Sequence, residues 1–550
     1  MFHGRVLKAL LSLSTFTSLS AAAANYGAKA GEYIVRLKPS AERLQIQSLQ
    51  NVLGAEVLQV VSNDLNIVLV QKSIIETSAS VIQSFSHNPY VLYAEPNYIY
   101  RASGGSTITP NDPELAKLWG LINTGQKAIG GSGPVIGTPG IDIDAVRAWQ
   151  VETGSKSVVV AVIDTGVNYN NPDLKNNIYV NQAELKGQPG VDDDANGFID
   201  DVNGWDFSGN DNNPMDVYGH GTHCSGTIGA TGNDGLGITG VAWNVSILPV
   251  RFLGDDGGGT TAGAIGSIEY ATKMKVNIMS NSWGGGAFSQ ALMDVITAAK
   301  DQGILFVAAA GNSSTDLDSS PEYPAAYAVD NIVAVAAIDP NGFVASFSNY
   351  GKNTVHIAAP GVGILSHTMN GLQSWDGTSM ACPHVAGVAA LLMSQDMTQS
   401  YLTLKSRLLS SARPVAALRG RVSTGSMLSA YYALTNQVAP VDASDPFNWQ
   451  KSAQSFSTDH PYLGNAKKEF RITVPGAKRI AVSFSKFETE ASYDTVTFKD
   501  ATGAVVKGTL SGKLGQIFGP AVNGDTVIVT FKADNSQNGY GFDIDGASFE

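Results

Sequence analysis

Cysteine is nearly missing from this 550-residue chain, in which Cys224 and Cys382 are the whole complement. Two thiols exclude a disulfide-built scaffold, so stability has to come from packing and from any bound metal. Basic residues are outnumbered as well, 35 Lys and Arg against 48 Asp and Glu, for a formal net charge of -13. That leaves no basic field to attract a phosphate backbone or an anionic membrane surface, and it argues against nucleic acid as a partner. Long apolar runs are lacking too. The run at residues 9–19 is shorter than the roughly 20 residues a spanning helix needs, and no later segment approaches that length, so no membrane span is expected. What is present is 43% hydrophobic side chains, ample material for buried cores in more than one domain.

Arg5 and Lys8 precede that apolar run and small residues follow it at 21–24. This is the pattern of a secretory signal peptide over residues 1–24, and it predicts a secreted protein, extracellular or periplasmic. Residues 25–105 alternate a strand-like run at 33–37, a helical stretch at 41–53, a strand at 66–70 and a helix at 74–85. They read as a small α+β unit. The polar, glycine-rich stretch 102–106 then supplies a flexible, cleavable joint.

From 111 to 436 the chain carries apolar, β-branched runs at 158–163, 246–250, 277–279, 305–309 and 332–337, separated by glycine-rich turns and helical stretches. Continuous apolar strands spaced by helices predict a parallel sheet covered on both faces in an α/β architecture. Active groups in such sheets gather beyond the carboxyl ends of the strands. Asp164 closes the run 158–163, His220 opens a helix-compatible segment (YGHGTHCSG, 218–226), and Ser379 stands at the mouth of another (WDGTSMACPHVAG, 375–387). A serine hydroxyl becomes a useful nucleophile when an imidazole takes its proton and a buried carboxylate fixes that imidazole's tautomer. A helix amino terminus at the serine favours a developing oxyanion, and Asn312, after the run 305–309, is placed to add an amide donor. Spacing alone leaves His220, His223 and His384 all open as the base.

Four blocks, AVIDTGV (161–167), GHGTHCSGT (219–227), AAAGN (308–312) and GTSMACPHVAG (377–387), resemble the signature blocks of the subtilisin family, in that family's chain order. The resemblance implies a subtilisin-like three-layer sandwich with a mostly parallel sheet. It also implies a serine endopeptidase that hydrolyses peptide bonds of proteins and peptides through an acyl-enzyme, with Asp164, His220 and Ser379 as triad, Asn312 in the oxyanion hole, and His220 rather than His223 or His384 as base. Residues 33–100, with their AEPNY run at 94–98, resemble the propeptide of such enzymes. That implies an autoprocessed zymogen whose own propeptide is an intramolecular inhibitor, cut within 100–109, with the Arg101–Ala102 bond the preferred site. Ser282, Trp283 and Gly284, with Ala309, Ala310 and Gly311, resemble the two backbone walls that hold an extended substrate. Glu322 matches the floor of the pocket for the residue before the scissile bond, where a carboxylate favours Lys or Arg.

The loop VDDDANGFIDD (191–201) alternates Asp192, Asp194 and Asn196, turns at Gly197, and offers the Phe198 carbonyl with Asp200 or Asp201 beyond. This opening of an EF-hand-like loop predicts a structural calcium ion, because so many carboxylates in one loop repel one another without a cation. Cys224 and Cys382 each follow a triad residue by about a helical turn, which places both thiols beneath the active site and leaves their pairing open. Residues 441–550 carry short alternating runs at 471–474, 480–484, 495–498 and 526–531, the pattern of an all-β sandwich. FSKFETEASYD (484–494), FKADNS (531–536) and GYGFDI (539–544) resemble a CUB domain without its usual cysteines, which implies Glu490, Asp494 and Asp534 as calcium ligands. The competing reading, a binding protein on a protease-like scaffold, has to explain why Asp164, His220, Asn312 and Ser379 are all retained.

Overall fold

The computed structural model describes residues 28–39, 46–72, 78–98, 109–131, 133–440, 445–491 and 493–550. The segment 1–24 read as a signal peptide, the joint at 102–106 and the Arg101–Ala102 bond lie outside the described residues. The chain divides into two units, residues 1–106 with 435–437, and 107–434 with 438–550.

In the first unit four antiparallel strands lie in the order Glu56–Ser62, Ile67–Gln71, Ala28–Leu37, Val91–Tyr98. Helices Ile46–Leu53 and Ser78–Ser86 accompany them. Tyr33, Val35, Val70, Val81 and Phe85 form its core. Sequence reading passes over two of these strands, Val91–Tyr98 and Glu56–Ser62. The side chains of Glu56–Ser62 are mostly exposed, so that strand carries no in-out alternation to read.

The second unit is built on a nine-stranded sheet ordered Arg413–Pro414, Ser426–Met427, Ile357–Pro360, Ile332–Ile338, Leu305–Ala309, Ile278–Asn281, Gly154–Asp164, Asn244–Arg251, Trp205–Asp206. Only the pairing of the first two strands is antiparallel. Every residue of Ile278–Asn281, Leu305–Ala309, Ile332–Ile338 and Ile357–Pro360 is buried. Because neighbours on a strand face opposite ways, both faces of the sheet must be covered. Helix Thr378–Gln395 crosses the strands from Gly154–Asp164 to Ile357–Pro360 and packs on helix His220–Gly229, while Thr261–Lys273 and Gln290–Asp301 pair with each other against the same sheet. The result is the three-layer, mostly parallel sandwich expected from the sequence.

The carboxyl-terminal region is all-β and antiparallel. One sheet joins Lys467–Thr473, Thr526–Lys532, Thr495–Asp500 and Val505–Leu510, and the other is centred on Gly541–Phe549 and Arg479–Glu488. Phe484, Phe487, Phe498, Phe531 and Phe542 fill the space between them, meeting mostly edge to face, as the ring quadrupole prefers. This sandwich is fastened to the peptidase region by Phe343, which packs against its core, and by polar contacts. Arg419 grips Asp445 through Nη1–Oδ1 (3.0 Å) and Nη2–Oδ2 (2.5 Å), and Arg421 donates to the Lys513 carbonyl (2.5 Å) while lying over the Tyr350 ring (4.2 Å).

Candidate active site

Asp164 ends a strand held between two parallel neighbours and is fully buried. Its Oδ1 accepts from the Thr165 amide and from His220 Nδ1, each at 2.7 Å. The turn beyond requires glycine: Gly166 has φ +98°, and a Cβ there would lie 2.5 Å from the Pro214 carbonyl oxygen. Gly221 is constrained from the other side, since its Cβ would lie 2.1 Å from the Gly166 carbonyl oxygen. Helix His220–Gly229 can therefore start hard against the end of the strand, and this brings the imidazole to the carboxylate.

The start of that helix is held by Asp216, which sequence reading missed. Asp216 is fully buried. Its Oδ1 accepts from the amides of Tyr218 and Gly219 and from Thr165 Oγ1, and its Oδ2 accepts from Thr222 through both amide and hydroxyl. An Asp just ahead of a helix that opens on Gly219-His220 is the signal that could have marked it as a cap. Burial alone would push the His220 imidazole down, but the Asp164 charge and hydrogen bond, with Asp216 behind them, hold it above its ordinary value.

The other two histidines sit elsewhere. His223 donates to the Ile364 carbonyl (2.9 Å) and lies flat on Trp375, centroids 4.8 Å apart and planes 1° apart. Burial and the neighbouring His220 lower it to about 3, so it stays neutral. His384 donates to the Met380 carbonyl, and burial lowers it to about 4.

Ser379 is the second residue of helix Thr378–Gln395, in the turn whose amides have no partner within the helix. Its hydroxyl donates to the Ser282 carbonyl (2.9 Å), and Ser282 Oγ donates back to the Ser379 carbonyl (3.0 Å). That carbonyl is available because the residue four positions on, Pro383, has no N–H to offer it. Cys224 Sγ is its second partner, at 3.4 Å. Both cysteines are free and buried, and burial pushes both thiols up, Cys382 to about 11. Asn312 follows the strand Leu305–Ala309, and its Oδ1 accepts from the Thr378 amide and hydroxyl, each at 2.9 Å. This fixes the flip of the side-chain amide and turns Nδ2 away from Thr378. A cavity of about 390 Å³ opens there, bounded by Asn312, Ser379, Trp283, Gly284, Gly311 and Glu322. A second, of about 540 Å³, takes in His220, Ser379, Ser282, Trp283, Tyr218 and Phe252. Ala309 lines the first, whereas Ala310 lines neither: it is buried, and its amide belongs to the sheet through the Val335 carbonyl.

Two clusters of carboxylates lie apart from these groups. Oxygen atoms of Asp194, Asp201 and Glu184 converge within 4.8 Å of one another. Burial, with Asp194 adding to it, raises Asp201 to about 6 against the hydrogen bonds from Tyr270, Asn196 and Asn181. Asn181 bridges Asp194 and Asp201, Asn196 Nδ2 reaches both as well, and Glu184 accepts from the amides of Asp193, Asp194 and Asp200. Asp192 instead accepts from the amides of Asn196 and Gly197, and Asp200 from that of Gly190. The Phe198 ring packs among Trp205, Phe207 and Tyr270. Asn181 and Glu184 precede the acidic run and were not legible as part of it. In the sandwich, Glu490, Asp494 and Asp534 converge in the same way, with the Tyr462 hydroxyl donating to Asp494.

Residues 155–425 match the subtilase family, 445–545 the CUB domain, and 17–97 the fervidolysin N-terminal prodomain. A thermophilic serine proteinase of Bacillus sp. (strain AK1) is 37% identical over 318 residues, 58% of this chain and 66% of that protein. The subtilisin-like protease 1 of Plasmodium vivax is 33% identical over 318 residues, 54% of this chain and 50% of that one. A crystal structure of a cold adapted subtilisin-like serine proteinase overlaps 57% of this chain and 97% of its own at 31% identity, with a TM-score of 0.44. Thermitase of Thermoactinomyces vulgaris is 39% identical over 259 residues, 47% of this chain and 82% of its own length. Residues 155–425 carry most of the parallel sheet and the helices of His220 and Ser379, and by that match and the relationship to thermitase the chain belongs to the subtilase family of serine peptidases.

Proposed function

We propose that this chain is a secreted serine endopeptidase, made as a zymogen that processes itself, with Asp164, His220 and Ser379 as its triad. The observation that carries the reading is the 2.7 Å bond between Asp164 and His220 Nδ1 at the rim of a cleft that Ser379 also lines. A carboxylate can only accept that bond, so the proton sits on Nδ1 and the Nε2 lone pair is free to act as base. The Ser379 hydroxyl turns from the Ser282 carbonyl to His220, gives up its proton and attacks the substrate carbonyl. Asn312 Nδ2 and the Ser379 amide at the helix start receive the oxyanion. His220 then protonates the leaving amine, and water releases the acyl group by the same steps.

Ser282, Trp283 and Gly284 on one side, and Ala309 and Gly311 on the other, hold the substrate as an extended strand; Ala310, its amide bonded to Val335 and its carbonyl accepting from Asn349, supports that wall from behind. Glu322 lines the cavity beside Asn312 with no basic side chain paired to it among the described residues, which supports a preference for Lys or Arg before the scissile bond. The oxygen-only donor set of Asp194, Asp201 and Glu184 suits a hard cation, with Asn196 and the loop residues Asp192, Phe198 and Asp200 around it. Calcium held there is structural and takes no part in the chemistry. It ties the loop to helix Thr261–Lys273, whose Tyr270 hydroxyl donates to Asp201 (2.6 Å). The CUB domain serves substrate or surface binding.

Secreted wild-type protein is expected to lose the segment before Asn111 and to digest a general protein substrate. Ser379→Ala is expected to stay full length and to lose about four orders of magnitude or more in activity. Intact mass and a digestion assay read both, and a Ser379→Ala protein that still matures and digests overturns the assignment. Because Asp164 raises the His220 pKa, and the base works only when neutral, kcat/KM falls as pH drops through a midpoint above the ordinary value of about 6.5. Asp164→Asn removes the charge, so the residual activity should show that midpoint at lower pH; a midpoint that stays put contradicts the pairing.

Against a panel of peptides, Glu322→Gln is expected to cost about 10–100-fold in kcat/KM for Lys or Arg before the cut and to spare apolar residues there. A wild type that already prefers apolar residues disposes of the basic pocket. In a Ser379→Ala background, which prevents self-digestion, chelation of calcium is expected to lower Tm by about 5–10 °C. Glu184→Ala should shrink that response. An undiminished response in the variant moves the ion to another site.

A further inference from the structure

Trp375 ends the hairpin made by Ile364–Thr368 and Gly371–Trp375, just ahead of the helix that carries Ser379. Its cross-strand partner is Ile364, whose carbonyl is the one His223 bonds at 2.9 Å. Ser366 Oγ, in the same hairpin, donates to the His223 carbonyl (2.7 Å). The hairpin and the helix of His220 are thus locked to each other through His223. The indole is fixed as well: its Nε1 donates to Gln373 Oε1 (3.1 Å), and the His223 ring lies flat against it.

The same indole meets His220. The two rings are stacked, centroids 6.2 Å apart and planes 24° apart, within the range over which aromatic pairs attract. Gly219, ahead of His220, has no side chain to hold the indole off, and a Cβ there would stand 3.7 Å from Trp375 Cη2. The imidazole therefore has a carboxylate at its edge, on Nδ1, and an indole against its face. The charged and titratable groups about it are Asp164 and Asp216, the neutral His223, and the protonated thiol of Cys224. The Tyr218 phenol lines the same cavity. Trp375 lines neither of the two cavities at Ser379, so its part in the reaction has to pass through His220 and not through substrate. On taking the serine's proton His220 becomes a cation, and the electron-rich face of an indole attracts a cation.

We infer that Trp375 is a positioning residue for His220: its face keeps the imidazole turned with Nδ1 toward Asp164 and stabilises the positive charge the ring carries while the serine attacks. This rests on the reading of the chain as a peptidase. The test follows hydrolysis of a peptide nitroanilide by the mature enzyme and compares Trp375→Leu, which removes the aromatic face, with Trp375→Phe, which keeps a smaller one. Trp375→Leu is expected to lower kcat about threefold to tenfold with KM within about twofold, and to move the acid midpoint of kcat/KM down by about half a pH unit. The sign follows from the charge: a face that favours the imidazolium raises the midpoint, so its loss lowers it. Trp375→Phe is expected to fall between wild type and Trp375→Leu on both readings. A midpoint that Trp375→Leu leaves in place overturns the inference, and so do equal effects of the two variants, which a loss of packing alone would give. Should neither variant fold, fluorinated tryptophan at all seven tryptophan positions keeps the ring's shape while drawing charge from its face; it must lower the midpoint too, and an unmoved one overturns the inference. An NMR titration of the His220 imidazole in full-length Ser379→Ala, with and without Trp375→Leu, reads the same shift without turnover. A wild type that hydrolyses nothing therefore refutes the peptidase reading, while the titration still decides whether Trp375 acts on His220.

Discussion

Buried negative charge sets the terms for the rest of this site. Asp164 and Asp216 are both fully buried, and a carboxylate taken out of water costs several kcal/mol unless donors replace its hydration. The protein supplies donors to both through a shared residue, to Asp216 at both oxygens and to Asp164 at Oδ1, while among the described residues none reaches Asp164 Oδ2. Thr165 gives its amide to Asp164 and its hydroxyl to Asp216, and that same hydroxyl accepts from the Gly221 amide. The remaining donors come from the residues around His220. Satisfying the two charges therefore fixes where the helix begins and how the imidazole is turned, so that one electrostatic requirement produces both local structure and site geometry.

A missing donor plays the matching part on the serine side. Pro383 inside helix Thr378–Gln395 frees the carbonyl of Ser379, and the vacancy is filled by Ser282 Oγ and Cys224 Sγ. The backbone of Ser379 is thereby bonded to the segment after strand Ile278–Asn281 and to the helix of His220 at once. Two helices and a strand end are registered through one carbonyl oxygen. This also explains why Cys224 is a packing residue: its thiol is spent on that carbonyl, and burial keeps it protonated.

Much of this was legible in the sequence because it rests on short-range pattern. Apolar runs marked five of the sheet's strands, though not the short buried Ile357–Pro360, and Asp164, His220 and Ser379 each stand where such a run or helix begins or ends, with Asn312 three residues beyond one. What escaped depends on partners distant in sequence or on backbone. Asp216 binds mostly amides, Glu184 reaches loop amides 9 to 16 positions later, and Ala310 is claimed by the Val335 carbonyl. Composition of the acidic run could not tell Asp194 and Asp201, which converge, from Asp192 and Asp200, which cap backbone. The exposed strand Glu56–Ser62 was missed for the plainest reason, that it has no buried side to advertise.

The two arginines between the sandwich and the peptidase sheet have a mechanical consequence. Arg419 and Arg421 both come from the short connection between the antiparallel edge strands Arg413–Pro414 and Ser426–Met427, and both reach residues of the sandwich. A displacement of the sandwich is passed through them to the rim of the sheet, at the edge opposite Trp205–Asp206. The strands that end at Asp164 and Asn281 lie several strands inward from that rim, so such a displacement meets the sheet far from the candidate triad.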